Sequence, residues 1–248
     1  MSFGIPRPLR AAARASLFLL LALSGALPCR PAPTQTVPPV TDKVTIRETV
    51  TEGFVHPGIG LTRPILENAR AMVLAGKEPW LSGYRALALA GPSARDAKAG
   101  NRNPSNPSLP QSDAFVDDNR MKGMFRGDAM KAYNQALMYY FTGDPVYRDN
   151  ALAILRLWSK IDPSKFKYNG DAHIHTGYEL RAMTTAAELL RSMVDESGAS
   201  CWTAEDTEAF SKNLVRPAIL NFMNSNGWFM NQNDYALIGA MAGFIFMD

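Results

Sequence analysis

The chain has 248 residues, of which 46% are hydrophobic and 20% are charged, and these proportions are typical of a globular protein rather than a disordered one. The formal net charge of +3 is too small to indicate a nucleic-acid-binding protein, and no basic run with interleaved aromatic residues follows the first 30 residues. We therefore predict no nucleic-acid partner. An acidic polymer remains compatible with this charge, because a local basic cleft does not require a basic protein.

Residues 1–30 have the pattern of a secretory signal peptide. Arginines precede a short apolar run, and small residues suited to signal peptidase follow it: Arg7, Arg10, Arg14, residues 17–23, Ser24, Gly25 and Ala26. The run is shorter than the roughly 20 apolar residues that a membrane span needs. We expect a secreted protein, extracellular or periplasmic if bacterial, that is monomeric and has no membrane contact after signal removal. Cys29 and Cys201 are too few for a disulfide scaffold, and the sequence leaves their pairing open.

Residues 31–53, rich in Pro and Thr at their start, are predicted to be a linker, and residues 54–248 a folded domain. In the domain, apolar residues recur three and four apart, as on one face of an α-helix, and no segment alternates like a strand. The predicted class is therefore all-α, with helical hairpins joined by short Gly/Pro turns. Residues 91–119, which we name the long loop, are loaded with Gly, Pro, Asn and Ser. We expect them to be a poorly packed surface loop over a cleft.

Short segments at four places carry a family resemblance through their order and spacing. They are FVHPG at 54–58, DAMKAY at 128–133, FTGDP at 141–145 and AAELLR at 186–191. Together they resemble the alginate-lyase family of polysaccharide lyases, in which a His-Pro-Gly segment precedes helix pairs, a TGD turn joins two of them and an AAELLR helix follows. The resemblance covers residues 54–248. It implies an incomplete (α/α) toroid, built of helical hairpins around a deep cleft that holds an anionic polysaccharide.

The activity that this resemblance implies is cleavage of alginate or a related uronan by β-elimination, without a cofactor. The C5 proton of a uronate is scarcely acidic while the neighbouring carboxylate is ionised, because the developing enolate would carry two negative charges. Asn, Gln, His or Arg donors must neutralise that charge, and losing one such donor typically costs about 3–4 kcal/mol of transition-state stabilisation. A Tyr or a His then serves as the base.

Polar amides stand directly before an apolar helix in the segment WFMNQNDY at 228–235. In lyases of the resembled type, an Asn at the start of an inner helix, often beside a His, neutralises the carboxylate. Asn231 is therefore assigned as catalytic and Asn233 as substrate-binding, although Asp234 stands about where the His is expected. The alternative for Asn233 is a helix N-cap. Trp228, beside these amides, is predicted to be a platform on which a sugar ring stacks.

The segment DAHIHTGY at 171–178 contains most of the chain's 3 histidines and opens the predicted helix that carries Arg181. Functional groups concentrate at such junctions between a loop and a helix. We assign catalytic candidates and one substrate-binding residue here: His173, His175 and Tyr178 are catalytic, and Arg181 binds substrate. Only one of the two histidines is expected to face the cleft, since alternate residues of an extended segment point to opposite sides.

The same histidines have other interpretations. A histidine is often a hydrogen-bonded structural residue, and His56 in the His-Pro-Gly segment is expected to be one that fixes the chain before the first helix. His173, His175 and Asp171 could ligate a metal, but no HExxH spacing accompanies them, so we predict no metal site. If the histidines are functional, at least one should share a cleft with Asn231, because a carboxylate neutraliser and a proton-transfer group must reach one sugar ring.

Two other functions remain open at this point. A glycoside hydrolase on a helical toroid would need two cleft carboxylates, for which the sequence offers Asp117, Asp118, Asp128 and Asp171. A non-catalytic carbohydrate-binding helical protein would use the amides only to hold sugar.

The resemblance also places a further functional Arg and Tyr on a helix downstream of the one that Asn231 opens. We therefore expect the C-terminal part of the domain to be missing, and the chain to lack full activity. The last apolar stripe should then expose Ile238, Ala242 and Ile245, because their packing partner would be absent.

Overall fold

The structure, a computed structural model, describes residues 36–116, 118–167, 172–223 and 231–248. Most of them are helical, which confirms the all-α class. The α-helices are α1 Arg63–Leu74, α2 Trp80–Leu89, α3 Asn119–Thr142, α4 Pro145–Trp158, α5 Ala172–Ser192, α6 Ala204–Phe210, α7 Arg216–Met223 and α8 Asn231–Met247. Short antiparallel strands pair β1 Thr45–Ile46 with β4 Met193–Val194, and β2 Thr49–Thr51 with β3 Phe54–His56. Within the described ranges, no helix has the length and apolarity to cross a membrane.

The turn between α3 and α4 follows from its local sequence. Gly143 ends α3 with a φ of 67°, a left-handed conformation that glycine adopts without a steric penalty. Asp144 then caps α4, since its carboxylate accepts a hydrogen bond from the backbone N–H of Val146 at 3.0 Å. Pro145 occupies the first turn, where no backbone N–H is needed. The helical hairpin is therefore encoded within a few residues.

A π-helical turn at Ser211–Val215 joins α6 to α7. α6 begins at a capping box, in which Thr203 and Asp206 each accept a hydrogen bond from the other's backbone N–H. Pro217 explains the widened turn, because its ring clashes with the carbonyl four residues earlier and it has no N–H to donate.

The long helices α3, α5 and α8 run in one direction. At the start of α5, Gly177 packs on the backbone of Tyr235 in α8, and near the end Arg191 donates a hydrogen bond to the carbonyl oxygen of Phe246 at 3.2 Å. A Cβ on Gly239 of α8 would lie only 2.5 Å from the carbonyl oxygen of Gly177. Glycine is thus required for α5 and α8 to approach this closely.

β1 connects the ends of α3 and α5. It pairs with β4, directly after α5, while the backbone N–H of nearby Thr41 donates to the carbonyl oxygen of Phe141 near the end of α3 at 2.8 Å. The intervening helices run the opposite way. Trp158 at the end of α4 donates to Asp128 in the first half of α3, and Phe210 of α6 packs edge-on against Phe246 of α8.

The predicted linker at residues 31–53 is wrong for its second half. Val44 and Ile46 are 1% and 4% exposed and belong to the main core. Further back, the Tyr84 hydroxyl donates to the carbonyl oxygen of Pro38 at 2.6 Å. Proline and threonine dominate only the start of this segment, and its later apolar residues pack on the helices. The expected signal peptide lies outside the described residues.

The expectation that the long loop is poorly packed is also wrong. Asp128 of α3 is fully buried and accepts hydrogen bonds from the backbone N–H groups of Gly100 at 2.6 Å and Asn101 at 3.1 Å, and from Trp158 Nε1 at 3.0 Å. Asn101 in turn exchanges side-chain hydrogen bonds with the backbone of Ser112. A buried polar group is stable only when it is paired, and here the pairing holds the loop against α3.

The exposed apolar face of α8 differs from the expected one. Ile238 is exposed as predicted, but Ala242 is buried and Ile245 is half-buried. The close crossing with α5 covers Ala242, and Gly58 packs against Ile245. The other large hydrophobic residues that α8 exposes are Tyr235, Leu237, Met241 and Phe244.

Candidate functional site

His175, Tyr178 and Arg181 lie on one side of α5, three residues apart, and we name this side the open face. His175 and Tyr178 are exposed and Arg181 is half-buried, whereas most other residues of α5 are buried. The helical period of 3.6 residues explains why positions three apart share a side. The structure therefore brings together three of the residues that the sequence selected.

His173 is not part of the open face. Two residues along a helix correspond to about 200° of rotation, so His173 points away from His175. Its side chain is 0% exposed, and no substrate can reach it in this structure. The assignment of His173 as a catalytic residue is therefore corrected: it is an interior residue. Of the two histidines only His175 is exposed, and a helix rather than an extended segment separates them. That His175 faces a cleft stays a prediction.

Arg181 has the environment of an anion-binding residue. No carboxylate of the described residues forms an ion pair with its guanidinium. A Cβ on Gly60 would lie 3.7 Å from Arg181 Nη2, so the loop before α1 borders the guanidinium. A half-buried guanidinium that forms no ion pair within the described ranges has planar donors suited to a carboxylate ligand.

Tyr133 of α3 is a site residue that the sequence interpretation did not select. It is half-buried, and burial raises the pKa of its phenol, while the positive charge of Arg181 acts against that rise and Tyr178 adds to it. Tyr133 therefore interacts electrostatically with Arg181 and Tyr178, and it keeps its proton at neutral pH. Its only signal in the sequence was its place in the DAMKAY segment, since periodicity alone does not show which helix faces α5.

The segment from His56 to Leu61, which we name the HPG loop, is tied to the far half of α5. The Gly58 N–H donates to Glu188 Oε1 at 2.9 Å, and His56 Nδ1 lies 2.6 Å from the same oxygen. His56 Nε2 lies 2.9 Å from Asp248 Oδ2, and Arg191 Nη2 donates to Glu188 Oε2 at 2.5 Å. We name Glu188, His56, Arg191 and Asp248 the Glu188 cluster. The expectation that His56 is structural is confirmed.

Asn231 and Asn233 lie in the first turn of α8, and both side chains are exposed. Asn233 is inside the helix, so it is not the N-cap that the alternative interpretation proposed. Because α8 runs parallel to α5, Asn231 begins its helix at the same end of the body where α5 carries His175. Trp228 and Asp171 lie outside the described residues.

The carboxylates considered for a hydrolase have structural partners or lie outside the described ranges. Asp128 holds the long loop, and Asp118 accepts from the backbone N–H of Met121 at 2.7 Å as the cap of α3. Asp117 and Asp171 are not described.

Glu179 of α5 is buried with no hydrogen-bond partner on Oε2, and burial raises the pKa of its carboxyl group. In the described part of the chain, no cluster of His, Cys, Asp and Glu has the make-up of a metal site.

In comparisons with known proteins, no family model, curated protein or solved structure matched the chain. The resemblance to the alginate-lyase family therefore rests on the quoted sequence segments alone.

Proposed function

We propose that the protein is a secreted polysaccharide lyase that cleaves alginate or a related uronan by β-elimination. The observation that carries this proposal is the guanidinium of Arg181, which has no ion-pair partner among the described residues, lies on the open face with Tyr178 and interacts electrostatically with Tyr133. A uronate offers the carboxylate that such a guanidinium binds in a two-pronged geometry. The neighbouring phenols and the imidazole of His175 are groups that transfer protons.

The proposed architecture is an incomplete (α/α) toroid. In such a toroid the inner helices run in one direction and the outer helices return between them. The parallel course of α3, α5 and α8 and the opposite course of α4 and of α6 with α7 support this arrangement. The open face of α5 would then line the cleft, together with Tyr133 from α3 and Asn231 from α8.

The proposed chemistry assigns each group one step. Arg181 and Asn231 donate hydrogen bonds to the C5 carboxylate and stabilise the charge of the enolate. His175 or Tyr178 removes the C5 proton, the electron pair of that bond forms the C4–C5 double bond, and the bond from C4 to the glycosidic oxygen breaks. The leaving oxygen takes a proton, for which the protonated phenol of Tyr133 is a suitable donor. The products are an unsaturated uronate and a new reducing end.

The hydrolase alternative is less well supported, because Asp118 and Asp128 already serve as structural acceptors. A hydrolase needs two carboxyl groups that are free to face the glycosidic bond. A protein that only binds carbohydrate would use the same Arg181 contact but would release no product.

The test is digestion of a panel of uronans, followed by the ultraviolet absorbance of the unsaturated product. A lyase forms this chromophore, whereas a hydrolase produces reducing ends without it and a binding protein produces neither. Arg181→Ala should lower the specificity constant by at least tenfold, since a hydrogen bond to a charged group is worth about 1.5–3 kcal/mol. Arg85→Ala, at an exposed position on α2, is the control and should change nothing. Reducing ends without the chromophore would overturn the proposal.

A further inference from the structure

The HPG loop connects the Glu188 cluster to Arg181. At one end, Glu188 holds the backbone N–H of Gly58 and the ring of His56. At the other end, Gly60 borders the guanidinium of Arg181. Between these ends the loop turns tightly, because the Leu61 N–H donates to the carbonyl oxygen of Gly58 at 3.0 Å. A contact path therefore runs from the end of α5 back to its open face.

The turn of the HPG loop is a strained one. Ile59 and Gly60 have φ values of 53° and 82°, in the left-handed region. Glycine adopts that region freely, but a β-branched residue such as Ile59 does so only where its surroundings impose it. Gly58, directly before the turn, is anchored by its hydrogen bond to Glu188 and by its packing against Ile245 of α8, and these contacts supply that constraint.

Burial of charge makes the Glu188 cluster unsuited to a purely stabilising role. Glu188 and His56 are almost completely enclosed, at 0% and 1% exposed. A buried ion pair loses its hydration, and an apolar pair of similar size often stabilises a protein as much or more. What charged hydrogen bonds add is a defined geometry, since each oxygen of Glu188 is committed to particular donors.

We propose that Glu188 and His56 are positioning residues, which hold the HPG loop where it fixes the guanidinium of Arg181 on the open face. This inference rests on the proposed function only in the claim that Arg181 binds a substrate carboxylate. The position of Arg181 relative to the loop is independent of it. The cluster therefore sets substrate affinity through Arg181, although none of its members lies on the open face.

The first experiment measures Arg181 directly and needs no substrate. The full chain is treated with phenylglyoxal, which modifies exposed guanidinium groups, and modification at Arg181 is measured by mass spectrometry relative to exposed Arg85. Glu188→Gln should raise this ratio, because a released loop no longer shields Arg181. Gly58→Ala is the second variant, since its Cβ would lie 3.1 Å from Ile245 Cγ2 and displace the loop without removing a charge.

Asp206→Asn is the matched control. It removes a carboxylate that pairs with Arg156 at 2.7 Å and caps α6, so it perturbs stability away from the HPG loop. In this variant, the ratio of phenylglyoxal modification at Arg181 to that at Arg85 should equal the ratio in the wild-type protein. If Gly58→Ala and a folded Glu188→Gln both leave the ratio unchanged, the positioning role is overturned. If Asp206→Asn changes the ratio as much, the effect is general loosening and the role is equally overturned.

The second experiment measures binding of a uronate oligosaccharide by calorimetry in a double-mutant cycle. Glu188→Gln should weaken binding by about tenfold alone and should have no further effect in the Arg181→Ala background, because coupled residues are not additive. Additive losses would overturn the inference. If the unmodified protein binds no uronate oligosaccharide, the proposed function fails, whereas the phenylglyoxal ratio still decides whether the cluster positions Arg181.

Discussion

Asp128 and Glu188 are both buried carboxylates on long parallel helices. Each accepts a backbone N–H hydrogen bond from a loop that precedes its helix in the chain. Their remaining partners differ. Asp128 accepts hydrogen bonds from neutral donors of Gly100, Asn101 and Trp158, and within the described ranges half-exposed Lys131 is its one charged partner. Glu188 lies among the charged or chargeable groups of its cluster. The first carboxylate can be understood as part of the scaffold.

The two carboxylates also differ in whether the buried polar atoms around them all have hydrogen-bond partners. In the Glu188 cluster, Arg191 Nε and Asp248 Oδ1 are buried without a hydrogen-bond partner. No side-chain atom of Asp128 or of its immediate donors is left in that condition among the described residues. Unsatisfied buried polar atoms cost free energy and are few in native proteins, so their presence in one cluster and not in the other is a real difference between the two. The comparison therefore separates a carboxylate that stabilises a loop from one that positions it.

The largest effect is expected at Asp128. Asp128→Ala should lower the free energy of unfolding by about 4 kcal/mol, because it leaves several buried donors unpaired at roughly 1–3 kcal/mol each. Urea denaturation followed by circular dichroism gives this value. Asp149→Asn, which removes an exposed carboxylate beside Arg148, should stay within about 0.5 kcal/mol. A loss as small at Asp128 would contradict its role as the anchor of the long loop.

The second largest effect distinguishes the two carboxylates by whether a second substitution restores the lost free energy of unfolding. Glu188→Gln should cost about 3 kcal/mol, because it strands charge in the interior, and adding Arg191→Leu should recover part of that loss. Asp128→Asn should gain nothing from Lys131→Met, since its main partners are neutral. Both cycles can be measured by urea denaturation at one pH. Equal rescue in the two cycles would remove the distinction drawn here.

A smaller effect comes from a turn that has no buried carboxylate. Gly143→Ala should cost about 1–2 kcal/mol, because alanine must adopt a left-handed φ and its Cβ would lie 2.9 Å from Lys43 Cβ. Thermal unfolding of this variant provides a scale for local strain. An unchanged melting temperature would show that the chain around residue 143 relaxes to accommodate alanine, so that local strain at this turn is smaller than we infer.

The smallest effect is expected at Glu179, a buried carboxylate that holds no loop. Burial raises its pKa, so the folded protein binds this proton more tightly than the unfolded chain. Stability contributed by the protonated form is then lost as the pH rises above the ordinary Glu value of about 4.3. Glu179→Gln should therefore be more stable than the unmodified protein at neutral pH, by a margin that shrinks towards pH 4. A margin independent of pH across thermal unfolding curves would argue against this assignment.

The sequence by itself determined the helices and many of their ends. Gly143 with Asp144, and Thr203 with Asp206, act within a few residues, so local chemistry is sufficient to predict them. In the stripe of Leu180, Met183, Ala187, Leu190 and Val194, which has a helical period, the first four residues are buried in α5, whereas Val194 is half-buried in β4. The selection of His175, Tyr178 and Arg181 also came from one continuous segment.

Only the tertiary structure decided which of these groups meet. His56 and Glu188 are 132 residues apart, and no local pattern relates two positions at that separation. Which histidine is buried depended on the tertiary packing around α5, and the packing of the long loop depended on Asp128 from a helix that follows it. Hydrophobic periodicity shows that a residue faces inward, but it does not show which element it will meet there. For that reason Tyr133 and the Glu188 cluster became visible only in the folded chain.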